Sequence, residues 1–516
     1  MTEPYHADNL VTVHHGDCLQ HLRNMPDNSI DSIVTDPPYG LSNTGPGNVA
    51  DTIVRWAGGE RDHVPEGRGF MGRSWDAFVP PPAVWDECLR VLKPGGHMLV
   101  FAGSRTQDLM GLSIRLAGFE LRDSLAWIYG SGMPKSLDVS KAIDKRGGNP
   151  DLAQQIAAAI KSARESRGWT AGRADKHFCG GTTNWTWFEG RKGECRPPTP
   201  ETFARIVAEW PELAEWAGKV AEAEREVIGK NAWTNSANHF VPGEDHTQRV
   251  HTDVTAPATP EAERWAGWGT SLKPAIEPIL CARKPLEGTV AGNVLEWGTG
   301  ALNIDASRVA MSDGDREVVD NRSGAAADYD GEGWGKRGNY SEGRKFKSAP
   351  AGRWPANVLL DPEAAAAMDQ QSGVSTSTKR LGRYSPTTPT GNGVTHGKMN
   401  GLSTDRGVED SGVASRFFHV FKYQAKAPKK ERPVIERPDG TKVQHPTVKP
   451  LALMEWLVTL ITPPGGVVLD PFAGSGTTLQ AARDKGFRAI GVEADADHCE
   501  LIVARLSKDD GGLFAA

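Results

Sequence analysis

The chain has 516 residues, 38% hydrophobic and 24% charged, with a formal net charge of −6. That composition fits a soluble globular protein of roughly two or three domains with a sizeable core, and it excludes disordered and fibrous classes. The acidic balance argues against a protein that coats nucleic acid over its whole surface, although a basic cleft is compatible with it. No stretch reads as a signal peptide or as an apolar span of about 18 residues, so a cytoplasmic location is expected. The six cysteines include no CxxC pair, which points to reduced thiols and to no metal site.

In chain order, the first ordered region runs from Val11 to Tyr129. Ser29 to Thr35 reads as a buried strand, and Trp85 to Leu92 as a helix stopped by Pro94-Gly95-Gly96. His97 to Phe101 reads as the next strand, and Gly118 to Tyr129 as a further strand or hairpin. Leu152 to Arg167, Thr170 to Phe178, Thr182 to Phe188 and Thr199 to Trp210 read as a run of short helices. Stretches 310–350 and 370–412, dense in Gly, Ser, Thr and Asp, read as flexible loops. Thr270 to Pro285 and Arg353 to Leu360 are apolar islands that rejoin a core. A last ordered region alternates a helix (Leu451 to Ile461), a strand (Val467 to Leu469), a helix (Thr477 to Lys485) and a strand (Arg488 to Val492). Such alternation implies a mainly parallel sheet flanked by helices.

Two segments carry chemistry. Thr35-Asp36-Pro37-Pro38-Tyr39-Gly40 follows a strand directly, and its two prolines hold a stiff extended turn at the strand's carboxyl end, where ligands of open α/β sheets bind. The turn offers a carboxylate, a proline carbonyl free of any ladder and one aromatic face. Two acceptors of that kind can take both N–H groups of an exocyclic amine, and an aromatic ring can stack on a base rotated out of a duplex. The second segment, Asp470-Pro471-Phe472-Ala473-Gly474-Ser475-Gly476-Thr477, is a strand running through a glycine turn into a helix. Glu493 ends the following strand, 19 positions after Gly474, a spacing that suits a carboxylate receiving ribose hydroxyls as in dinucleotide-binding folds. The loop lacks both GxGxxG and GxxxxGK[ST], which disfavours nicotinamide cofactors and nucleoside triphosphates.

Together, Asp36-Pro37-Pro38-Tyr39 and Phe472-Ala473-Gly474-Ser475-Gly476 resemble the catalytic and cofactor motifs of amino-methylating DNA methyltransferases, in the order of the beta class. Gly16-Asp17-Cys18, Leu92-Lys93-Pro94-Gly95-Gly96 and His445-Pro446-Thr447-Val448-Lys449-Pro450 match further segments of that family. The resemblance covers about residues 11–145 and 415–506. It implies a Rossmann-like S-adenosylmethionine-dependent methyltransferase fold, with a mainly parallel sheet, helices on both faces and a large central insertion. It implies that Asp36, Pro37, Pro38 and Tyr39 hold and activate the target amine. It assigns S-adenosylmethionine to Asp17, Cys18, Asp36, Thr447, Lys449, Asp470, Phe472, Ala473, Gly474, Ser475, Gly476, Thr477 and Glu493.

Transfer would be direct and in line, which agrees with the missing Pro-Cys dipeptide of cytosine-C5 enzymes, and no metal is expected. Aspartate at position 36 favours N6 of adenine in double-stranded DNA, with cytosine N4 as the alternative. A DNA-binding regulator with a vestigial core, and methylation of RNA or protein amides, are the other-class rivals.

The implied division is 1–145, a catalytic half; 146–414, a target-recognition insertion; and 415–516, a cofactor-binding half. Within the insertion, 151–216 is similar to small helix-turn-helix domains, with Thr183, Asn184, Thr186, Arg191 and Lys192 placed to meet DNA; the alternative is an ordinary helical insertion with Trp169, Trp185 and Trp187 as core. Lys422, Lys426, Lys429, Lys430 and Arg432 form a basic run that is either a solvated face or a phosphate-contacting rim, and Lys273, Arg283 and Lys284 invite the same comparison. A homodimer and a cognate restriction endonuclease are partners the family allows, and no membrane partner is expected.

Overall fold

The computed structural model describes residues 3–41, 45–67, 76–130, 132, 136–147, 150–179, 198, 200–222, 227–234, 249–255, 257, 260–311, 352–377, 410–421 and 433–508. It divides into two compact units, residues 1–132 with 275–516, and residues 133–274.

The first unit is built on a ten-stranded sheet. Its strands in chain order are β1 (His6–Ala7), β2 (Val11–His15), β3 (Ile30–Thr35), β4 (Leu92–Phe101), β5 (Glu120–Ile128), β6 (Ile276–Arg283), β7 (Val358–Leu360), β8 (His419–Val420), β9 (Val467–Asp470) and β10 (Arg488–Glu493). Across the sheet they lie as β1-β2-β10-β9-β3-β4-β6-β5-β7-β8. All neighbours are parallel except β1 with β2 and β6 with both β4 and β5. This is the mixed, mostly parallel α/β sheet of a Rossmann-like fold. β9 and β10, which come late in the chain, are slotted between β2 and β3, which come early.

Both faces are covered, so the inner strands read as unbroken apolar runs. Alternation of side chains along each strand divides them between two cores. Val34, Leu99, Phe101 and Val468 face one cluster, closed by Leu453, Leu457 and Ile461 of helix Leu451–Ile461 and by Leu479 and Ile502. Ile33, Met98, Val100 and Leu469 face the other, closed by Trp85 and Val91 of helix Pro82–Val91 and by Met110 and Ile114 of helix Gln107–Leu116.

One expected boundary moves. Strand β4 begins at Leu92, since Ile30 pairs with Leu92, and Ser32 then pairs with His97. The Lys93–Gly96 segment bulges between those pairs, with Gly95 at φ 75°. The expected turn is therefore an irregularity inside a longer strand. The apolar islands become β6 and β7, both in the main sheet. Of stretch 370–412, expected as loop, the two ends pair: Ser375–Ser377 lies antiparallel to Asp410–Gly412.

The second unit covers residues 133–274, while β6 and β7, which lie within the stretch 146–414, belong to the first unit's sheet. Its core joins Ile156, Ile160 and Ala163 of helix Pro150–Ser166 to Ala174 and Phe178 of helix Ala171–Cys179. Phe203 and Ile206 of helix Pro200–Glu209, with Trp210, complete it. Trp169 packs into this core, its ring 6.2 Å from Phe178 and 5.8 Å from Trp210. A hairpin of Val227–Thr234 with Arg249–Thr255 follows. The third expected helix, Thr182 to Phe188, lies outside the described residues. No helix among the described residues is long and apolar enough to cross a membrane.

Candidate active site

The carboxyl ends of β2, β10, β9, β3 and β4 line one edge of the sheet, and the loops that follow them build the site. Because β6 runs against β4, it presents its first residues, not its last, to that same edge: Phe101 pairs with Ile279.

The turn after β3 is braced from several sides. The Gly40 amide donates to the buried Asp76 carboxylate at 2.9 Å. Thr106 Oγ1 donates to the Tyr39 carbonyl at 2.6 Å. Gly40 has φ 64°, and a Cβ there would stand 2.6 Å from the Val79 amide nitrogen, so only glycine fits without displacing backbone.

Asp36 and Glu277 share one ammonium. Lys449 Nζ is 2.8 Å from Asp36 Oδ2 and 2.8 Å from Glu277 Oε1. Tyr39 Oη lies 2.7 Å from Asp36 Oδ1, in short contact with Glu277 Oε1, and 3.0 Å from Lys449 Nζ. Side-chain exposure is 24% for Asp36, 16% for Glu277 and 13% for Lys449, so water screens the cluster only partly. Burial opposes the charge of Lys449, but the Asp36 and Glu277 carboxylates outweigh it and hold the ammonium above the ordinary lysine range. Burial, then the same two carboxylates, raises the Tyr39 phenol well above its usual value, so it remains a donor. The ammonium also lies over the Phe101 ring, 4.7 Å from its centre.

The loop after β9 turns through Gly474 (φ 53°) and Gly476 (φ 78°) into helix Thr477–Asp484. The Gly474 amide donates to Glu493 Oε2 at 2.7 Å, and the Gly16 amide donates to the Glu493 carbonyl at 2.9 Å. Gly16-Asp17-Cys18, Glu493 and the glycine loop are therefore brought together. A Cβ on Gly474 would come within 3.2 Å of His445 Nε2. His445 stacks edge-on to His498 at 4.5 Å; burial first, then His498, push its imidazole down to about 4. Its Nδ1 is in short contact with the Thr447 carbonyl.

The two motifs are directly bonded. Thr35 Oγ1 donates to Asp470 Oδ1 at 2.7 Å, and the Phe472 amide donates to the same oxygen at 3.1 Å. Burial raises the Asp470 carboxyl to about 6, against the hydrogen bonds of Thr478, Thr35 and Phe472.

Several expected ligands prove to have work of their own. Asp17 caps helix Cys18–Arg23, accepting from the Gln20 amide at 3.1 Å. The Cys18 thiol is pushed up to about 12, chiefly by burial. Asp470, Ser475 and Thr477 are buried, Ser475 Oγ lies 3.3 Å from Thr477 Oγ1, and Arg505 donates to the Ser475 carbonyl at 2.7 Å. Lys449, expected beside the methionine end of a cofactor, sets its ammonium on Asp36. Thr447 is exposed.

Arg283 and Lys284 are at the opposite edge of the sheet, paired with Glu120 at 2.7 Å and with Asn28 and the Leu92 carbonyl at 2.7 Å each, which removes them from any rim of this site. Asn184, Thr186, Arg191, Lys192, Lys422 and Lys426 lie outside the described residues. Glu277 was missed; its only signal was a lone acid inside an apolar island. Among the described residues no group of three or more His, Cys, Asp or Glu is arranged to hold a metal ion.

The chain is 37% identical over 79 residues to the type II methyltransferase M.ScaI of Streptomyces caespitosus, covering 15% of this chain and 26% of that protein. It is 28% identical over 129 residues to M2.DpnII of Streptococcus pneumoniae, covering 25% and 45%. It is 43% identical over 70 residues to M.HindIII of Haemophilus influenzae, covering 14% and 23%. The matches thus span less than half the length of each of these relatives. Among solved structures it is similar to the PvuII DNA methyltransferase (cytosine-N4-specific), with a TM-score of 0.36, 12% identity and coverage of 98% and 88%. It is also similar to the M1.HpyAVI–SAM complex, with a TM-score of 0.33, 12% identity and coverage of 96% and 99%. Residues 30–145 and 222–504, well over half the chain, match the family described as DNA methylase, and the chain belongs to that family.

Proposed function

We propose that the protein transfers a methyl group from S-adenosylmethionine to the N6 amine of adenine in double-stranded DNA. The observation that carries the reading is the Thr35–Asp470 hydrogen bond between neighbouring strands, which fastens the Asp-Pro-Pro-Tyr turn beside the glycine loop. The loop suits the cofactor: two left-handed glycines allow close approach, helix Thr477–Asp484 offers free amides, and Glu493 and Asp17 offer acceptors. Bound there, S-adenosylmethionine supplies an electrophilic methyl group on a sulfonium, a leaving group that needs no acid.

The chain's own residues supply the rest. The Asp36 carboxylate and the Pro37 carbonyl accept the two N–H groups of the target amine and turn its lone pair towards the electrophile. Tyr39 and its neighbours receive a base rotated out of the helix, since a stacked base cannot reach this edge. The amine gains a bond and must lose a proton, and Asp36, already accepting from it, is the group in place to take that proton. The aspartate at position 36 supports adenine over cytosine. In this reading the insertion 146–414 contributes target recognition and the basic run 422–432 a phosphate-contacting rim, and a cognate endonuclease or a homodimer is an accessory to it.

The test is nucleoside mass spectrometry of unmethylated DNA incubated with the purified protein and S-adenosylmethionine. N6-methyladenine is expected, and Asp36→Ala should reduce it by at least ~1,000-fold while leaving cofactor binding partly intact. N4-methylcytosine would keep the chemistry and overturn the base. Full activity of Asp36→Ala would sink the role given to that carboxylate.

A further inference from the structure

Glu277 reaches the site from β6, a strand that carries neither motif. Asp36, Glu277 and Lys449 together bear two negative charges and one positive, with the neutral Tyr39 hydroxyl among them. Lys449 Nζ stands 2.8 Å from each carboxylate, so its ammonium is shared. The Tyr39 hydroxyl lies against both carboxylates but has one proton, so it donates to one of them at a time while accepting from Lys449 at 3.0 Å.

That sharing creates a conflict at Asp36. A target amine must donate to the same carboxylate that already holds an ammonium and a phenol. A cation left against Asp36 would also repel the positive charge that builds on the amine nitrogen as it is alkylated. Resolution requires a second acceptor within reach of the same two donors, and Glu277 is that acceptor. We propose that Glu277 is a positioning residue, which takes the Lys449 ammonium and the Tyr39 proton off Asp36 as the target amine docks. The inference rests on the methylase reading and deepens it. Asp36 then faces the amine alone, Lys449 keeps a counter-charge, and the cluster retains the single net negative charge that a developing cation needs.

Lys449 must be the agent through which Glu277 acts, and a double-mutant cycle reads this out. Single-turnover methyl transfer is measured for the wild type, Glu277→Gln, Lys449→Met and the double variant, with cofactor affinity measured for each by calorimetry. Glu277→Gln leaves the ammonium no anion but Asp36, so transfer should fall ~30-fold or more while cofactor affinity stays within ~3-fold. In the Lys449→Met background no ammonium needs parking, so adding Glu277→Gln should cost less than ~3-fold.

Equal losses in the two backgrounds, or a Glu277→Gln protein within ~3-fold of wild type, would overturn the proposal. If Glu277→Gln loses its fold, Glu277→Asp carries the same comparison, with a smaller loss that again vanishes beside Lys449→Met. A wild type that transfers nothing to DNA would bring down the methylase reading itself, and this inference with it.

Discussion

His97 stands on β4 opposite Arg283 of β6, with its ring buried. Burial first, then the charges of Arg283 and Arg122, push its pKa down to about 4. An unfolded histidine titrates near 6.5, so between those values the unfolded chain binds a proton that the folded chain refuses. This contribution to stability is full above about pH 6.5 and drains away as pH falls through 4. Asp470 has the opposite sign: its folded value of about 6 lies above the unfolded one, so its contribution is lost as pH rises through 6. The two partly cancel in the whole protein, and only a variant separates them. His97→Gln should lose about 2 kcal/mol less stability than wild type between pH 7 and pH 5, read from urea midpoints at each pH. An unchanged pH response would show that the imidazole protonates in place. Glu277 belongs to the same scale: no spacing or composition marks one carboxylate in an apolar run, because its meaning comes from the direction of the strand beneath it.

At the scale of elements, the turn after β3 depends on one residue without a side chain. Gly40→Ala combines a left-handed backbone with an overlap against the Val79 and Phe78 backbone, so a loss of about 2 kcal/mol or more is expected. Chemical denaturation measures it, and methyl transfer should fall with it because Tyr39 precedes the displaced residue. The buried strands and the long helix Leu451–Ile461 were legible in the sequence, since an apolar run or a helical stripe leaves a periodic trace. Strands β7 and β8, of three and two residues, are too short to show a period at all. The reversal of β6 was invisible for another reason: a strand's side-chain alternation is the same whichever way it runs. The edge that gathers Asp36 and the glycine loop could be expected from the motifs alone, while the residue that joins them from β6 could not.

At the scale of the whole molecule, the second unit leaves and re-enters the first at neighbouring points. Ile128 of β5 pairs with Ile276 of β6, and the Tyr129 amide donates to the Ala275 carbonyl at 3.0 Å. Residues 133–274 thus occupy the place of a hairpin turn between two antiparallel strands. A protein with that stretch replaced by a short Gly-Asn turn should fold, bind S-adenosylmethionine within ~3-fold of wild-type affinity, and lose sequence-selective methylation. Calorimetry and sequencing of the methylated sites measure the two halves of that expectation. Loss of folding would show that the first unit needs the second. The sequence marked an insertion over 146–414 but not the pairing of Ile276–Arg283 and Val358–Leu360 into the main sheet, since membership of a sheet is decided by pairing partners distant in the chain.

The strand order has a consequence for biosynthesis. Thr35 and Asp470, 435 positions apart, end strands that lie side by side. While the ribosome is still making the chain, β2 and β3 have emerged but the strands that separate them have not, so both wait with open edges for most of translation. The sheet closes only when residue 493 has left the exit tunnel. A nascent chain shorter than that lacks a complete β10, and a premature stop before β9 leaves β2 and β3 without the two strands that lie between them.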